Sequence, residues 1–393
     1  MAVAQPSGDA PGQPAGELGE VLFFGTYDER LHPRIQVLRE GVAAHGGAVT
    51  VLNEPLGIGT AQRIEMLRSP ARFARFAVVM ARRWLRLVRR ARRLPRRPDV
   101  VIVGYLGHFD VRLARLCFRR STIVVDHLVG LSDTARDRRL DGRRLVTRLL
   151  EAADRQAMAA ADVVVFDTAE HRDHLGADAP CGIVVPVGAP AQYFVAGDAR
   201  SRPRGDVLSV LFFGLFTPLQ GATTIGRAIS LLHDEPGVQF TIVGDGQDRA
   251  AAHEAAELNR NVTWVPWVEP DEVPALVSRH DVCLGIFGTT PKALRVVPNK
   301  VYQGLAAGAA IVTSDTPSQR RVLGSAAVYV PAGDADALAA ALRDLRRDTA
   351  RLERLQEDAR ERARRSFTPQ AVTRELAGLL SGRRAPIGVS APR

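Results

Sequence analysis

Lysine is almost missing from this 393-residue chain. Of its 53 lysine and arginine residues, only Lys292 and Lys300 are lysine. A GC-rich coding bias produces such depletion, so the two retained positions are candidates for sites that need an ammonium. Lysine carries a compact charge on a flexible stem, suited to a phosphate or a hydroxyl. Two ordinary surface lysines are the competing reading. Cysteine is scarce as well: Cys117, Cys181 and Cys283 are odd in number, far apart and in apolar surroundings. That excludes a disulfide scaffold and predicts buried free thiols in a reducing cytosol. No apolar run approaches the roughly 18 residues that span a bilayer. Residues 1–19 lack the basic start and apolar core of a signal peptide; rich in Ala, Gly and Pro, they read as a disordered tail. There is no G-x-G-x-x-G, so a dinucleotide fingerprint is absent, and there is no metal or thiol motif.

What is present is a soluble, globular composition, 46% hydrophobic and 24% charged, with a net charge of +10. The charge implies an anionic partner: nucleic acid, a phosphate-bearing substrate or an anionic membrane surface. Apolar runs alternate with helical spacing along the whole chain. Strands are expected at 20–24, 49–52, 100–103, 122–125, 162–166 and 183–185, then at 207–213, 238–243, 262–265, 282–287, 310–313 and 327–330. The helices expected between them include a basic one at 140–160 and one long Arg/Asp/Glu helix at 334–365. This alternation implies two α/β domains, each a doubly wound parallel sheet, facing one another across a cleft. The boundaries read as residues 20–188 for the first domain, 189–206 for an aperiodic linker and 207–365 for the second. A C-terminal helix over 366–381, packing back on the first domain, and a tail over 382–393 complete the chain.

Residues 63–97 stand apart. Thirteen arginines face one acid, Glu65, and Phe73, Phe76, Met80, Trp84 and Leu87 recur at spacings of three and four. This is a basic amphipathic helix. One reading packs its apolar stripe into the core and leaves arginine in solvent. The other lays that stripe on an anionic membrane. Aromatics are few here and no recognition module is present, so nucleic-acid binding is not expected.

Two glycine turns and one basic segment carry the chemistry. Phe212-Phe-Gly-Leu-Phe-Thr-Pro-Leu-Gln-Gly221 joins a strand to a helix whose amino end can hold an anion. Ile242-Val-Gly-Asp-Gly246 repeats the design one strand later. Lys292, Arg295, Asn299 and Lys300 follow the strand at 282–287, at the carboxyl edge where open α/β sheets bind ligands. Together they would make one electropositive pocket of diphosphate size.

At these segments, and at VVDHLVGLSDT, AADVVVFDTAEH and VVPVGAP in the first half, the chain resembles family 4 glycosyltransferases of the GT-B fold. The resemblance runs from Glu20 to about Leu380. It implies a nucleotide-sugar donor (UDP- or GDP-linked) held by the second domain. It implies a glycan or lipid-linked acceptor held by the first, and transfer with retention, without a required metal or cofactor, in the cytoplasm or on the inner membrane face. Gly214, Gln220, Gly221, Gly244, Gly246, Lys292, Arg295, Asn299, Lys300 and Gln303 would bind the donor. Gly25 and His108 would lie on the acceptor side. His127 matches a family histidine that touches the transferred sugar, and Asp126 would stand beside it. Without the resemblance, Asp126 and His127 read as a strand-end cap and a satisfied histidine. Leu215 and Gln220 stand where many members carry Arg and Lys, and Arg295 and Gln303 stand where many carry two glutamates. Lys292, Arg295, Asn299 and Lys300 are therefore read as supplying the positive charge from the opposite wall. The missing glutamates keep open a donor-binding homologue without activity; a sugar-nucleotide epimerase is the other alternative.

Overall fold

Runs of valine, isoleucine and phenylalanine closed by glycine or a polar residue become the strands of two parallel sheets. The computed structural model describes residues 18–57, 70–128, 130–138, 144–175, 181–199 and 206–384. In the first sheet β1 (Glu20–Gly25), β2 (Ala48–Asn53), β3 (Val100–Val103), β4 (Thr122–Asp126), β5 (Val163–Phe166) and β6 (Gly182–Val184) lie in the order β2-β1-β3-β4-β5-β6. In the second, β7 (Leu208–Phe213), β8 (Val238–Val243), β9 (Val262–Val265), β10 (Val282–Leu284), β11 (Ala310–Ser314) and β12 (Ala327–Val330) lie in the order β12-β11-β10-β7-β8-β9. β3 and β5 are buried along their whole length, as strands covered by helices on both faces must be.

Strand order reverses between β1 and β3 in one sheet and between β7 and β10 in the other. At such a reversal the connecting helices leave toward opposite faces and open a crevice at the strands' carboxyl ends. Register brings those ends level: Phe24 pairs with both Leu52 and Val103, and Val103 with Val125. The turns that begin at Gly25, Gly104 and His127 therefore share one edge.

The helices are α1 (Pro33–Ala44), α2 (Pro70–Arg92), α3 (Asp110–Cys117), α4 (Leu131–Asp137), α5 (Arg144–Ala159), α6 (Ala169–Leu175) and α7 (Ala191–Asp198). The second half adds α8 (Ala222–Ser230), α9 (Arg249–Ala255), α10 (Val273–Ser278), α11 (Asn299–Ala306), α12 (Pro317–Leu323), α13 (Ala335–Arg347), α14 (Thr349–Ser366) and α15 (Pro369–Arg384). Three expectations need correction. The single helix over 334–365 is two, because the Asp348 carboxylate accepts from the Arg351 amide and caps a new start. The basic helix over 140–160 is preceded by a separate α4, whose polar residues gave no apolar period. The aperiodic linker holds α7, which packs on α10 and α11; Gly197 has no room for a side chain, since a Cβ would stand 2.5 Å from the Ala306 carbonyl.

The chain ends by crossing back. α15 lies along α1, and the Ala189 amide donates to the Phe367 carbonyl at 3.0 Å. Gly41 makes the approach close: a methyl there would stand 2.3 Å from Pro369 O and from Thr373 Oγ1. In an exposed helix Gly→Ala stabilises by up to about 1 kcal/mol. At Gly41 the sign should reverse, since overpacking costs about 1–3 kcal/mol. Gly378, on α15 with nothing within 4 Å of its would-be methyl, is the control. Thermal unfolding should show Gly41→Ala melting lower than the parent and Gly378→Ala melting at or above it.

Candidate active site

The first-domain edge is built on two buried acids. Asp110 opens α3 and accepts from the Thr26 amide and hydroxyl at 2.8 Å each, and from Trp84 Nε1 at 2.7 Å. It thereby fixes the turn at Gly25, whose φ of 147° and 3.1 Å clearance from Asp110 Oδ2 require glycine. Asp126 ends β4 and is fully committed to Arg34 of α1. The Arg34 Nε and Nη2 atoms each lie 3.2 Å from Asp126 Oδ1, and Nη1 donates to the Pro186 carbonyl at 2.6 Å. Burial pushes the Asp126 carboxyl up while Arg34 pulls it down. Asp126 was expected at the reacting face; it is instead half of an internal ion pair.

His127 follows directly and is sealed inside. Its amide donates to the Val165 carbonyl, and its ring stands 5.2 Å from His108, 5.6 Å from His171 and 5.8 Å from Phe166. Among the described residues neither ring nitrogen has a hydrogen-bond partner. Burial, reinforced by the neighbouring His108 and His171, depresses its pKa to about 3, so it is a neutral imidazole. His108 sits beside it in the turn before α3, and His171 Nδ1 pairs with Asp167 at 2.7 Å.

The second-domain edge is a stack of backbone turns. A Cβ on Gly244 would fall 2.0 Å from the Gly214 carbonyl, and one on Gly246 would fall 2.5 Å from the Phe216 carbonyl. Gly221, at φ 66°, lies against Phe287 and Gly288. The loops after β7, β8 and β10 can meet this closely only as glycine. Lys300 rises under them from the first turn of α11. Its Nζ donates to Gln220 Oε1 at 2.6 Å, lies 3.6 Å from the centre of the Phe212 ring, and would stand 3.2 Å from a Cβ on Gly214. Lys300 is 4% exposed, and among the described residues no carboxylate pairs with it. Burial draws its pKa down to about 7. Asn299 opens the same helix half-buried, and Gln303 is buried one turn on.

Lys292 and Arg295 are elsewhere. The turn after β10 carries them across the cleft to α4, which sequence reasoning had missed. Thr290 donates to Asp137 at 2.7 Å, Lys292 Nζ to Thr134 at 2.9 Å and Arg295 Nη2 to Asp133 at 3.0 Å. Thr168 donates to the Arg295 carbonyl, and Arg321 pairs with Glu170 at 2.7 Å. Of the three cations expected to gather on one diphosphate, only Lys300 remains at the glycine turns; the other two hold the domains together. The signal for α4 was the unexplained density of Asp and Thr in LSDTARD.

Residues 208–348 match the family model described as Glycosyl transferases group 1. The match falls within the second domain. A phosphatidyl-myo-inositol mannosyltransferase of Mycolicibacterium smegmatis is 30% identical over 173 residues, 43% of this chain and 43% of that protein. The match thus spans less than half of that curated relative. Sucrose-phosphate synthase from Thermosynechococcus elongatus superposes with a TM-score of 0.68 at 14% identity, covering 93% of this chain and 98% of that one. Alpha,alpha-trehalose 6-phosphate synthase from Burkholderia multivorans gives 0.64 at 14% identity over 96% and 99%. Anabaena HepE, in complex with UDP-glucose, gives 0.61 at 13% identity over 93% and 99%. The architecture around the group 1 domain is accordingly GT-B.

The position of Lys300 in the group 1 domain carries a pH signature. With its pKa lowered to about 7, folded and unfolded states differ in bound protons between that value and the ordinary 10.5, so folding stability should rise with pH across this window. A bound diphosphate raises the ammonium's pKa again. The affinity it contributes is full below pH 7 and is lost as pH climbs toward the raised value. Titration calorimetry of inorganic pyrophosphate at pH 8, in buffers of different ionisation enthalpy, should show proton uptake that disappears in Lys300→Met.

Proposed function

We propose that this protein transfers a sugar from a nucleoside-diphosphate sugar to an acceptor in the interdomain cleft, with retention and without a metal at the diphosphate. The observation that carries this reading is Lys300. It is a buried lysine with no carboxylate partner among the described residues, under a glycine turn, at the amino end of α11. Helix dipole and lysine both attract an anion there. In glycosyl transfer negative charge grows on the leaving diphosphate, and a preorganised cation in a dry site stabilises that growth where it occurs. Asn299 and Gln303, on the same helix, are placed to hydrogen-bond ribose or sugar hydroxyls. His127, neutral and beneath the facing edge, would meet the transferred sugar once the cleft opens.

UDP-glucose is the first donor to test, because HepE binds it, and GDP-mannose the second, because of the mannosyltransferase relative. Slow hydrolysis of one donor to nucleoside diphosphate is the expected result. Lys300→Ala should weaken diphosphate binding by about 1.5–3 kcal/mol, the worth of a charge-assisted hydrogen bond. His127→Ala should lower kcat more than donor affinity. A specific observation favours a second reading: Arg295, in place of a usual glutamate, is tied to Asp133 outside the donor pocket. Tight donor binding without hydrolysis or transfer would select a nucleotide-sugar-binding protein instead.

The acceptor reading rests on α2, and the structure corrects its face. Phe76, Met80, Leu87 and Ala91 are buried, and Trp84 is anchored to Asp110. Phe73 and residues 63–69 lie outside the described side chains. What faces solvent is Val78 and Leu85 among Arg75, Arg82, Arg86 and Arg89. Among the described residues no helix is long and apolar enough to cross a membrane. We assign this outer stripe to a lipid-bearing acceptor surface, with each engaged arginine contributing about 1 kcal/mol. Anionic liposomes at low salt should co-sediment the protein, and Arg82→Glu with Arg86→Glu should abolish this. Parent protein that stays in the supernatant would point to a soluble acceptor.

A further inference from the structure

We propose that His108, His127 and Asp154 form a binding site for a divalent transition cation of the zinc class, inside the first domain. The three residues come from three elements: the turn after β3, the exit of β4, and α5. One ligand-type atom from each lies within 4.8 Å of the others, and the residues are 5%, 1% and 2% exposed. Both ring nitrogens of His127 and Nδ1 of His108 lack partners among the described residues. A buried polar atom without a partner is costly, so such a set calls for an occupant.

The contact between His108 and Asp154 says what kind. His108 Nε2 stands 3.0 Å from Asp154 Oδ1, a buried contact of imidazole with carboxylate. Nitrogen and oxygen ligands around such an ion are held by bonds of about 2.0–2.2 Å, which leaves them within a few ångströms of one another. The carboxylate is already braced for the role. Asp154 Oδ1 accepts from the Leu131 amide at 2.9 Å, and Oδ2 accepts from the Ser132 amide at 3.1 Å and hydroxyl at 2.8 Å. Such outer hydrogen bonds fix the orientation of a ligating oxygen. They also join the site to the start of α4, the helix that grips the second domain. Two imidazoles and one carboxylate suit zinc and its neighbours, whereas calcium and magnesium call for oxygen donors throughout. With three protein ligands, a fourth position is left open.

This proposal does not rest on the transferase reading, competes with it for the His127 ring, and its test does not use activity. The full chain, stripped with a chelator and dialysed, is titrated with Co²⁺ as a visible probe and then with Zn²⁺. One equivalent of Co²⁺ should produce a saturable d–d absorption band that Zn²⁺ bleaches, and Zn²⁺ should raise the melting temperature. Losing an outer partner already weakens metal sites by about 10–100-fold, so His108→Ala and His127→Ala should each weaken binding by more than about 100-fold. The wild-type titration decides even where a variant fails to fold: no saturable band overturns the proposal. Undiminished binding in a folded His127→Ala protein also overturns it, since the ion would then sit on other histidines such as His171 or His174.

Discussion

A positive charge kept out of water without a negative one beside it sets the terms for the second domain. Among the described residues the Lys300 ammonium has one hydrogen bond, to Gln220, and the face of the Phe212 ring. Its shift from 10.5 to about 7 corresponds to a burial cost on the order of 4–5 kcal/mol at low pH. The helix that carries it adds to the cost, because a cation in the first turn opposes the macrodipole. The surroundings are organised to keep the position small and dry. Gly214 leaves the space above the ammonium open, and Gly221, Gly244 and Gly246 let three loops close around it. An anion there would lower the free energy of this pocket.

The cleft is closed by groups of the opposite kind. Every cross-domain contact described at its mouth is polar: Thr290 with Asp137, Lys292 with Thr134, Arg295 with Asp133, Arg321 with Glu170. The α4 side of three of these pairs is buried, at Asp133, Thr134 and Asp137, and only Arg321, paired with Glu170, is well exposed. The apolar attachment lies elsewhere, where Phe367, Val372 and Leu376 return the chain to the first domain through α15.

Much of this was legible in the sequence, and the failures have causes. All twelve strands follow from apolar runs, because a parallel sheet covered on both faces needs them. The glycine turns and Lys300 followed from strand ends and residue type. What period cannot show is a helix whose buried side is polar. α4 buries Ser132, Asp133, Thr134 and Asp137 against a cleft rather than a core, so no apolar stripe marks it. Missing α4 left Lys292 and Arg295 with no partner but a substrate. The same blindness hid Asp154, an acid in an otherwise ordinary amphipathic helix that organises the start of α4. For α2 the apolar stripe was visible, but not which side of it faced the core; Leu56 and Asp110, the groups that receive it, are distant in sequence.

The pair Asp126–His127 shows why adjacent chemistry need not act together. Successive side chains of an extended segment point to opposite faces. Asp126 turns toward α1 and meets Arg34; His127 turns toward β5 and meets Phe166, with His108 and His171 alongside. The acid neutralises a buried guanidinium whose loss of partner would cost about 3–5 kcal/mol. The histidine stays neutral because burial and the neighbouring His108 and His171 outweigh the pull of Asp154. This edge therefore holds an unprotonated imidazole and no free carboxylate from Asp126. The strand's two-residue period, fixed by β4 pairing with β3 and β5, makes that division.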